Sequence, residues 1–545
     1  MLRCVLCFAI LADCAFAEQA QPNALDEGIA LLKKGEIDRS VELLREVVAR
    51  QPDSAPAHNY YGFALARKGS LQEATQEFET ALKIDPRYAD ALYNLGTAQT
   101  IQERYPSAIE NLQAAIAIRP DFPEAEFELG NAFAAKGDVG SAMEALERAI
   151  RLRPDMYAAR TQLAMLDSGI GNTQGAVEEF RRVVALQPLS AEAHNNLGVA
   201  LDQAGDLSGA IEEFESALQA NPKFVAGLLN LAQAMRDKGG LPAAVDNYRK
   251  AIAVQPDSAD AHADLAFTLK RMDRLKEAVD EISIAVRIAP DLARAQFYYG
   301  EILAQMSDTA GALPHYQRAS ELSPNDVDFR LKYGNLLTEE NPDEAVRQLE
   351  AASNLDPSRA DVLSALGAAL RTNGKQDQAA EAFRRSRDVS SAASRRSEAI
   401  LATNTAIDSL KKGKITPAIE SLRAALASDP DFAEANHYMG IAQSAEQNWP
   451  EANRAFNAAL RETPSDPMIH YNFAVALEKQ GDWASAVREF QSVLSLRPGQ
   501  VQTMCQLSDA LKQAGQNDQA QIELKHAEDL GSCGGHPLQL SSIPK

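Results

Sequence analysis

Cysteine is scarce in this chain: five occur in 545 residues, and Cys4, Cys7 and Cys14 crowd the first turn of the sequence. Only Cys505 and Cys533 remain elsewhere. That excludes a disulfide-framed fold and paired CxxC metal sites. Positive charge is also in short supply, with 54 Lys and Arg against 76 Asp and Glu and a net charge of −22. Such a surface repels phosphate backbones and anionic lipid, so nucleic acid is not expected as a partner. Apolar runs long enough to cross a bilayer are missing, since the stretch from Cys4 to Ala12 is short and stopped by Asp13. No HExxH, GxSxG or phosphate-cradling glycine loop occurs. Neither a metal nor a cofactor is expected, and an enzyme is not expected.

What is present is a beat. Pro52, Pro86, Pro120, Pro154, Pro188, Pro222, Pro256, Pro290 and Pro324 follow one another at 34-residue intervals, Pro357 comes one residue early, and Pro430, Pro464 and Pro498 restore the interval. A fixed period of this length means stacked copies of one supersecondary unit. A chain of this size is too long for one compact core, whereas a stack of units grows without limit.

The unit is legible in Ala191 to Pro222. Leu197, Ala200 and Leu201 give an apolar helical face that Gly205 ends; Ala210, Ile211, Phe214, Ala217 and Leu218 give a second, which Pro222 ends. Two antiparallel helices with a short connection follow, and a single pair cannot bury its own apolar face. Counting the proline as position 32, position 8 is Gly, Ala or Ser in every copy, position 20 is Ala in all but the first (Ser40), and position 24 is bulky, as in Phe78, Phe180, Phe214 and Tyr248. Small residues mark where helices approach closely.

Small residue at 8, alanine at 20, aromatic at 24 and proline at 32 resemble the tetratricopeptide repeat, in about fifteen copies over roughly residues 21 to 530. The resemblance implies an all-α fold, a right-handed solenoid of antiparallel helix pairs whose first helices line a concave surface. No copy has tryptophan at position 4; His58, His194, His262 and His470 stand there and are read as packing residues in its place. They are at least 68 residues apart and, at roughly 8–10 Å per stacked layer, cannot share a metal.

Four features interrupt or flank the array. Residues 1–17 read as a signal peptide, with Arg3, the apolar stretch and Ala15-Phe16-Ala17 as a cleavage site. Export to the periplasm or outside is the expectation, with lipidation at Cys14 as the alternative. Repeats one to eleven span 18–390 and repeats twelve to fifteen span 399–530, separated at 391–398 by a joint. Around it lie Arg384, Arg385, Arg387, Arg395 and Arg396, which make either an extended helix with solvated arginines or a hinge and docking patch. Cys505 and Cys533 stand at neighbouring ends of the last pair, so they are either bridged or two free thiols. A tail, 531–545, closes the chain.

By the resemblance, position 6 points into the groove. It reads Asn94, Gln162, Asn196, Asn230, Asp264, Asn404, Asn472 and Gln506, with Tyr60, Tyr298 and Tyr438 among the rest. An amide both donates and accepts, which suits a peptide backbone of any sequence. The pattern resembles the asparagine ladder with which the repeats of a sugar-transferase family hold extended polypeptides; the same amides could instead be merely solvated. Two functions follow: an exported scaffold that binds proteins or extended peptides in its groove, or a structural subunit of an envelope machine for polysaccharide or pilus export.

Overall fold

The computed structural model describes residues 24–497, 499–530 and Cys533. The leader and all of the tail except Cys533 lie outside the described residues. Among the described residues the regular structure is 29 α-helices and no strand, most of them 13 or 14 residues long. The chain divides into two compact units, Met1–Asp308 and Thr309–Lys545.

In the first unit the pair Ala191–Gln203 and Leu207–Ala220 shows why each copy folds as it does. Ser190 caps the first helix by accepting from the Ala193 amide. Gly205 turns the chain at φ +83°, a conformation that costs little only without a side chain. Asp206 then caps the second helix, accepting from the Gly209 amide at 2.9 Å. Glu103, Asp273, Ser307 and Gln447 occupy the same turn position at positive φ in their copies, each carrying a side chain where glycine is favoured.

The core is a line of close approaches. A Cβ added to Gly198 would lie 2.5 Å from Phe214, one added to Gly62 would lie 2.8 Å from Phe78, and one added to Gly130 would lie 2.7 Å from Leu146. The alanines at position 20, among them Ala74, Ala108, Ala142, Ala210 and Ala278, are fully buried. Where serine replaces a small residue, it bonds the opposing backbone. The Ser40 hydroxyl donates to the Gly28 carbonyl and the Ser508 hydroxyl to the Ala520 carbonyl, each at 2.8 Å.

Successive pairs are joined by a clamp at position 4. Nδ1 of His58, His194, His262 and His470 lies 2.6 Å from Glu77, Glu213, Glu281 and Glu489 respectively. Nε2 of the same rings lies 3.0–3.1 Å from the carbonyls of Pro52, Pro188, Pro256 and Pro464. Arg160 does the same, from Nε to the Pro154 carbonyl at 2.9 Å and from Nη1 to Glu179 at 2.6 Å. Asn436 reaches the Pro430 carbonyl at 3.0 Å. The position-4 histidines are therefore not simple packing substitutes for tryptophan. Each ties the proline turn that closes the preceding pair to the second helix of its own pair, satisfying a carbonyl that proline geometry leaves outside the helix ladder.

In the second unit the second helix of one pair and the first helix of the next are a single helix, Gln376–Lys411, of 36 residues. Residues 391–398, read from the sequence as a joint with an extended helix as the alternative, lie inside this helix. The stretch SAASRRSE holds neither proline nor glycine, so nothing in it stops a helix.

Two outcomes are expected. Gly198→Ala lowers stability in chemical denaturation by about 1–3 kcal/mol through overpacking against Phe214, whereas Gly140→Ala, with nothing near its added Cβ, is neutral or stabilising by up to about 1 kcal/mol. His262→Ala costs about 1–3 kcal/mol by orphaning the Pro256 carbonyl and Glu281, and His262→Gln, which keeps an amide donor for that carbonyl, costs less.

Candidate functional site: the first-helix face

Within each unit it is the first helices of neighbouring pairs that touch across the step, as Ala55–Lys68 does Ala89–Ile101 and Ala433–Ala445 does Pro467–Gln480; no two second helices meet to the same degree. The first-helix side is thus the tighter, inner side of each stack. Position 6 lies on it.

The amides there are partly engaged with their neighbours. Asn94 donates from Nδ2 to Asn59 Oδ1, and Asn230 to Asn195 Oδ1, each at 2.9 Å across one repeat step. Asn472 and His437 meet in the same way at 2.9 Å. In each pair the acceptor sits at position 5 of the preceding copy and is buried or largely so. The bond orients the amide and leaves its oxygen and second hydrogen to the groove. Gln162 and Asn196 are half-buried and make no hydrogen bond among the described residues; Asn404, on the long helix, is exposed.

The ladder has a further rung, and it is a carboxyl and not an amide. Glu128 also occupies position 6, so Asn94, Glu128, Gln162, Asn196, Asn230 and Asp264 run through six consecutive copies. Burial pushes the Glu128 carboxyl up to about 7, opposed by its bond from Asn131. A carboxylic acid that keeps its proton near neutrality donates and accepts as an amide does. Burial also raises Asp264, against Arg294 and Arg236, which lie 3.5 Å and 3.6 Å from its carboxylate.

The tyrosines form no continuous row. Tyr298 stacks on Phe267 with centroids 4.5 Å apart, Tyr438 lies beside the His437 ring at 5.2 Å, and Tyr60 is half-buried against the apolar cluster of Phe78 and Leu95. Around Phe267 the inner face is reinforced by charge. Arg236 sits over the ring at 5.5 Å, Lys270 approaches it at 5.3 Å, and Lys270 pairs with Glu301 at 2.6 Å. Positions 12 and 9 of adjacent copies therefore face each other, 31 residues apart in sequence.

The five arginines of the long helix are not gathered on one face. At 100° per residue Arg384 and Arg395 share one side, Arg385 and Arg396 another, and Arg387 a third. Arg384 pairs with Glu381, and Arg396 pairs with Asp429 while covering the Phe432 ring at 3.9 Å. Cys505 and Cys533 are joined by a disulfide, with Cα atoms 5.9 Å apart. Among the described residues no group of three or more metal-ligating side chains converges, and no helix is long and apolar enough to cross a membrane.

Models of the tetratricopeptide repeat match residues 25–89, 161–223, 335–394 and 438–501, and residues 197–352. Further repeat models match 77–110, 98–137 and 124–156. The chain belongs to the tetratricopeptide repeat family. Tetratricopeptide repeats are protein-interaction scaffolds that bind peptides or proteins and are generally non-catalytic. No curated protein matches this chain. Among solved structures, yeast Tom70 is 17% identical over 67% of this chain and 91% of its own, with a TM-score of 0.38. YrrB, described as a TPR protein with an unusual peptide-binding site, is 22% identical over 34% of this chain and 97% of its own, with a TM-score of 0.30. PilF of Pseudomonas aeruginosa is 19% identical over 39% and 96%, with a TM-score of 0.35.

Because the Glu128 pKa is raised above its ordinary 4.5, its contribution to stability is present below that value and lost as the pH rises through about 7. Thermal unfolding followed from about pH 5 to about pH 8 should therefore show a smaller decline for Glu128→Gln than for the wild type.

Proposed function

We propose that this protein is an exported scaffold that holds extended segments of partner proteins along the first-helix face of its first unit. The observation that carries the reading is the unbroken run of hydrogen-bonding side chains at position 6 from Asn94 to Asp264, in which Asn94 and Asn230 are oriented by bonds to position 5 while Gln162 and Asn196 have no internal partner. Stacked copies advance roughly 8–10 Å, about the length of three residues of extended chain. Six rungs would thus grip on the order of fifteen residues through the backbone, whatever their side chains. Export is supported by the leader-like start and by the Cys505–Cys533 bridge, which suits an oxidising compartment.

Gln162 and Asn196 are the clean probes, because neither makes an internal hydrogen bond that its loss would break. A photo-crosslinking residue at either position should capture partner polypeptide from native envelope extract, and the Gln162→Ala/Asn196→Ala variant should bind the captured partner about tenfold more weakly, at roughly 0.5–1.5 kcal/mol per lost bond, with its unfolding temperature unchanged. Crosslinking only from exposed second-helix positions such as Glu215 would overturn the reading.

A further inference from the structure

One step of the second unit is not closed. At other steps position 27 of one copy and position 3 of the next form the seam between pairs. Ala81 and Ala91, Ala115 and Ala125, Ala149 and Ala159, Ala285 and Ala295, and Ala425 and Ala435 each share a buried cluster, and all are fully buried. Counting Gly367 and Ala406 as position 8 of the eleventh and twelfth copies, the corresponding residues are Ser386 and Leu401. Both lie on the helix Gln376–Lys411, 15 residues or about 22 Å apart, so they do not meet within one chain. Leu401 is 71% exposed, and Ile400 beside it 42%. On the other side of the break Ser386 is held to its own pair by a bond to the Ala360 carbonyl at 2.7 Å. Phe383, at position 24, is only half-buried there, where Phe78, Phe214, Phe456 and Phe490 are 0–2% exposed in their copies. The Arg371 guanidinium stands over its ring at 5.9 Å. Residues 390–398, between the two open faces, are exposed throughout.

The two open faces lie on one side of the helix. Phe383, Ser386, Ser390, Ser394, Ser397 and Leu401 recur at steps of three and four residues, which sets them in a single stripe with four serines between its apolar ends. Side chains that small let a second helix approach closely. Of the charged residues between Phe383 and Leu401, helical geometry brings only Arg387 and Glu398 to the border of the stripe, both along the same edge, and turns the others away. Arg387 forms no ion pair among the described residues, whereas Arg384 and Arg396 pair with Glu381 and Asp429. Val389, half-buried, and Ile400 border the opposite edge.

We propose that a second copy of this chain closes the step, the two long helices running antiparallel about a two-fold axis between Ala393 and Ser394. In that register Leu401 meets the partner's Ser386, which is the position-3 to position-27 contact of the closed steps. Ser390 then faces the partner's Ser397, Arg387 the partner's Glu398, and Val389 the partner's Ile400. The pairing is complementary in charge along one edge and apolar along the other, and the symmetry makes every contact twice. A foreign partner would have to imitate the second helix of a repeat, whereas a second copy already carries it. The arrangement is an exchange of repeats, in which the twelfth copy of each chain stacks on the eleventh of the other.

The test is the solution mass of the full chain at micromolar concentration, by light scattering behind gel filtration, with the dissociation constant taken from sedimentation equilibrium. The chain of 59.0 kDa should run at twice its mass. Leu401→Lys changes an exposed residue and leaves the core of the single chain untouched. It should raise the dissociation constant at least about a hundredfold, since the contact is lost at two places, with helix content by circular dichroism unchanged. Arg387→Glu should weaken the pairing about tenfold, and adding Glu398→Arg, which reverses the ion pair, should restore most of that loss. A mass other than twice that of the chain would overturn the pairing. So would a dimer that Leu401→Lys leaves as tight as before, or one in which Glu398→Arg deepens the loss instead of repairing it.

Discussion

Everything in this molecule depends on one contact: a residue without a side chain, or with only a methyl group, set against the ring or branched chain of the facing helix. Gly198 under Phe214, Gly62 under Phe78 and Gly440 under Phe456 are the same contact in different copies. It fixes the separation of the two helices in a pair, and the buried alanines at position 20 fix it from the other side. Since dispersion and apolar burial both fall steeply once surfaces part, the pair has one good spacing. Repeating that spacing is what makes a regular stack. Within each unit the regular stack in turn brings position 6 of successive copies to the same side.

The stack also needs a joint that does not bend freely, and the clamp at position 4 supplies it. In most copies a proline turn stops the second helix, and the proline leaves a carbonyl facing the next first helix. Histidine, arginine or asparagine at position 4 accomplishes the same thing: it donates to that carbonyl, and the longer side chains also reach a carboxylate on the second helix. Different chemistry at one position therefore serves one geometric purpose. In the long helix Gln376–Lys411 no proline turn occurs, no clamp is required, and the two copies are joined by the helix itself.

The fold was legible in the sequence because its signals are local and repeated: glycine at the turn, proline at the close, and small-against-large residues sixteen positions apart. The position-4 clamp was not. Its partners lie 19 residues ahead in one direction and six behind in the other, a relation that exists only once two antiparallel helices and the preceding turn are in place. Glu128 escaped for a different reason. Residue type marks an amide as both donor and acceptor, whereas a carboxyl joins that class only when burial lets it keep its proton. The arginines of the long helix looked like a cluster because they are close in sequence, but helical geometry spreads them over three sides.

The division of labour between faces follows from these constraints. Positions 8, 20 and 24 have no freedom, since each is held by a neighbour at contact distance. Position 4 has little, since it must donate to a carbonyl. Positions 6, 9 and 12 of the first helix are held only by the corresponding positions of the adjacent copies, so they can change as long as the cross-step contact stays tolerable. That tolerance is visible within the chain itself: the facing pair at 12 and 9 is cation over aromatic ring at Arg236 and Phe267, cation with anion at Lys270 and Glu301, and acid with acid at Glu478 and Asp509. The first two arrangements are complete within the protein and stiffen the inner face. The third sets two acids at the same step, and burial, with the charge of Asp509 adding to it, pushes the Glu478 carboxyl up to about 7, so the fold tolerates there a pairing that it balances internally at Lys270 and Glu301.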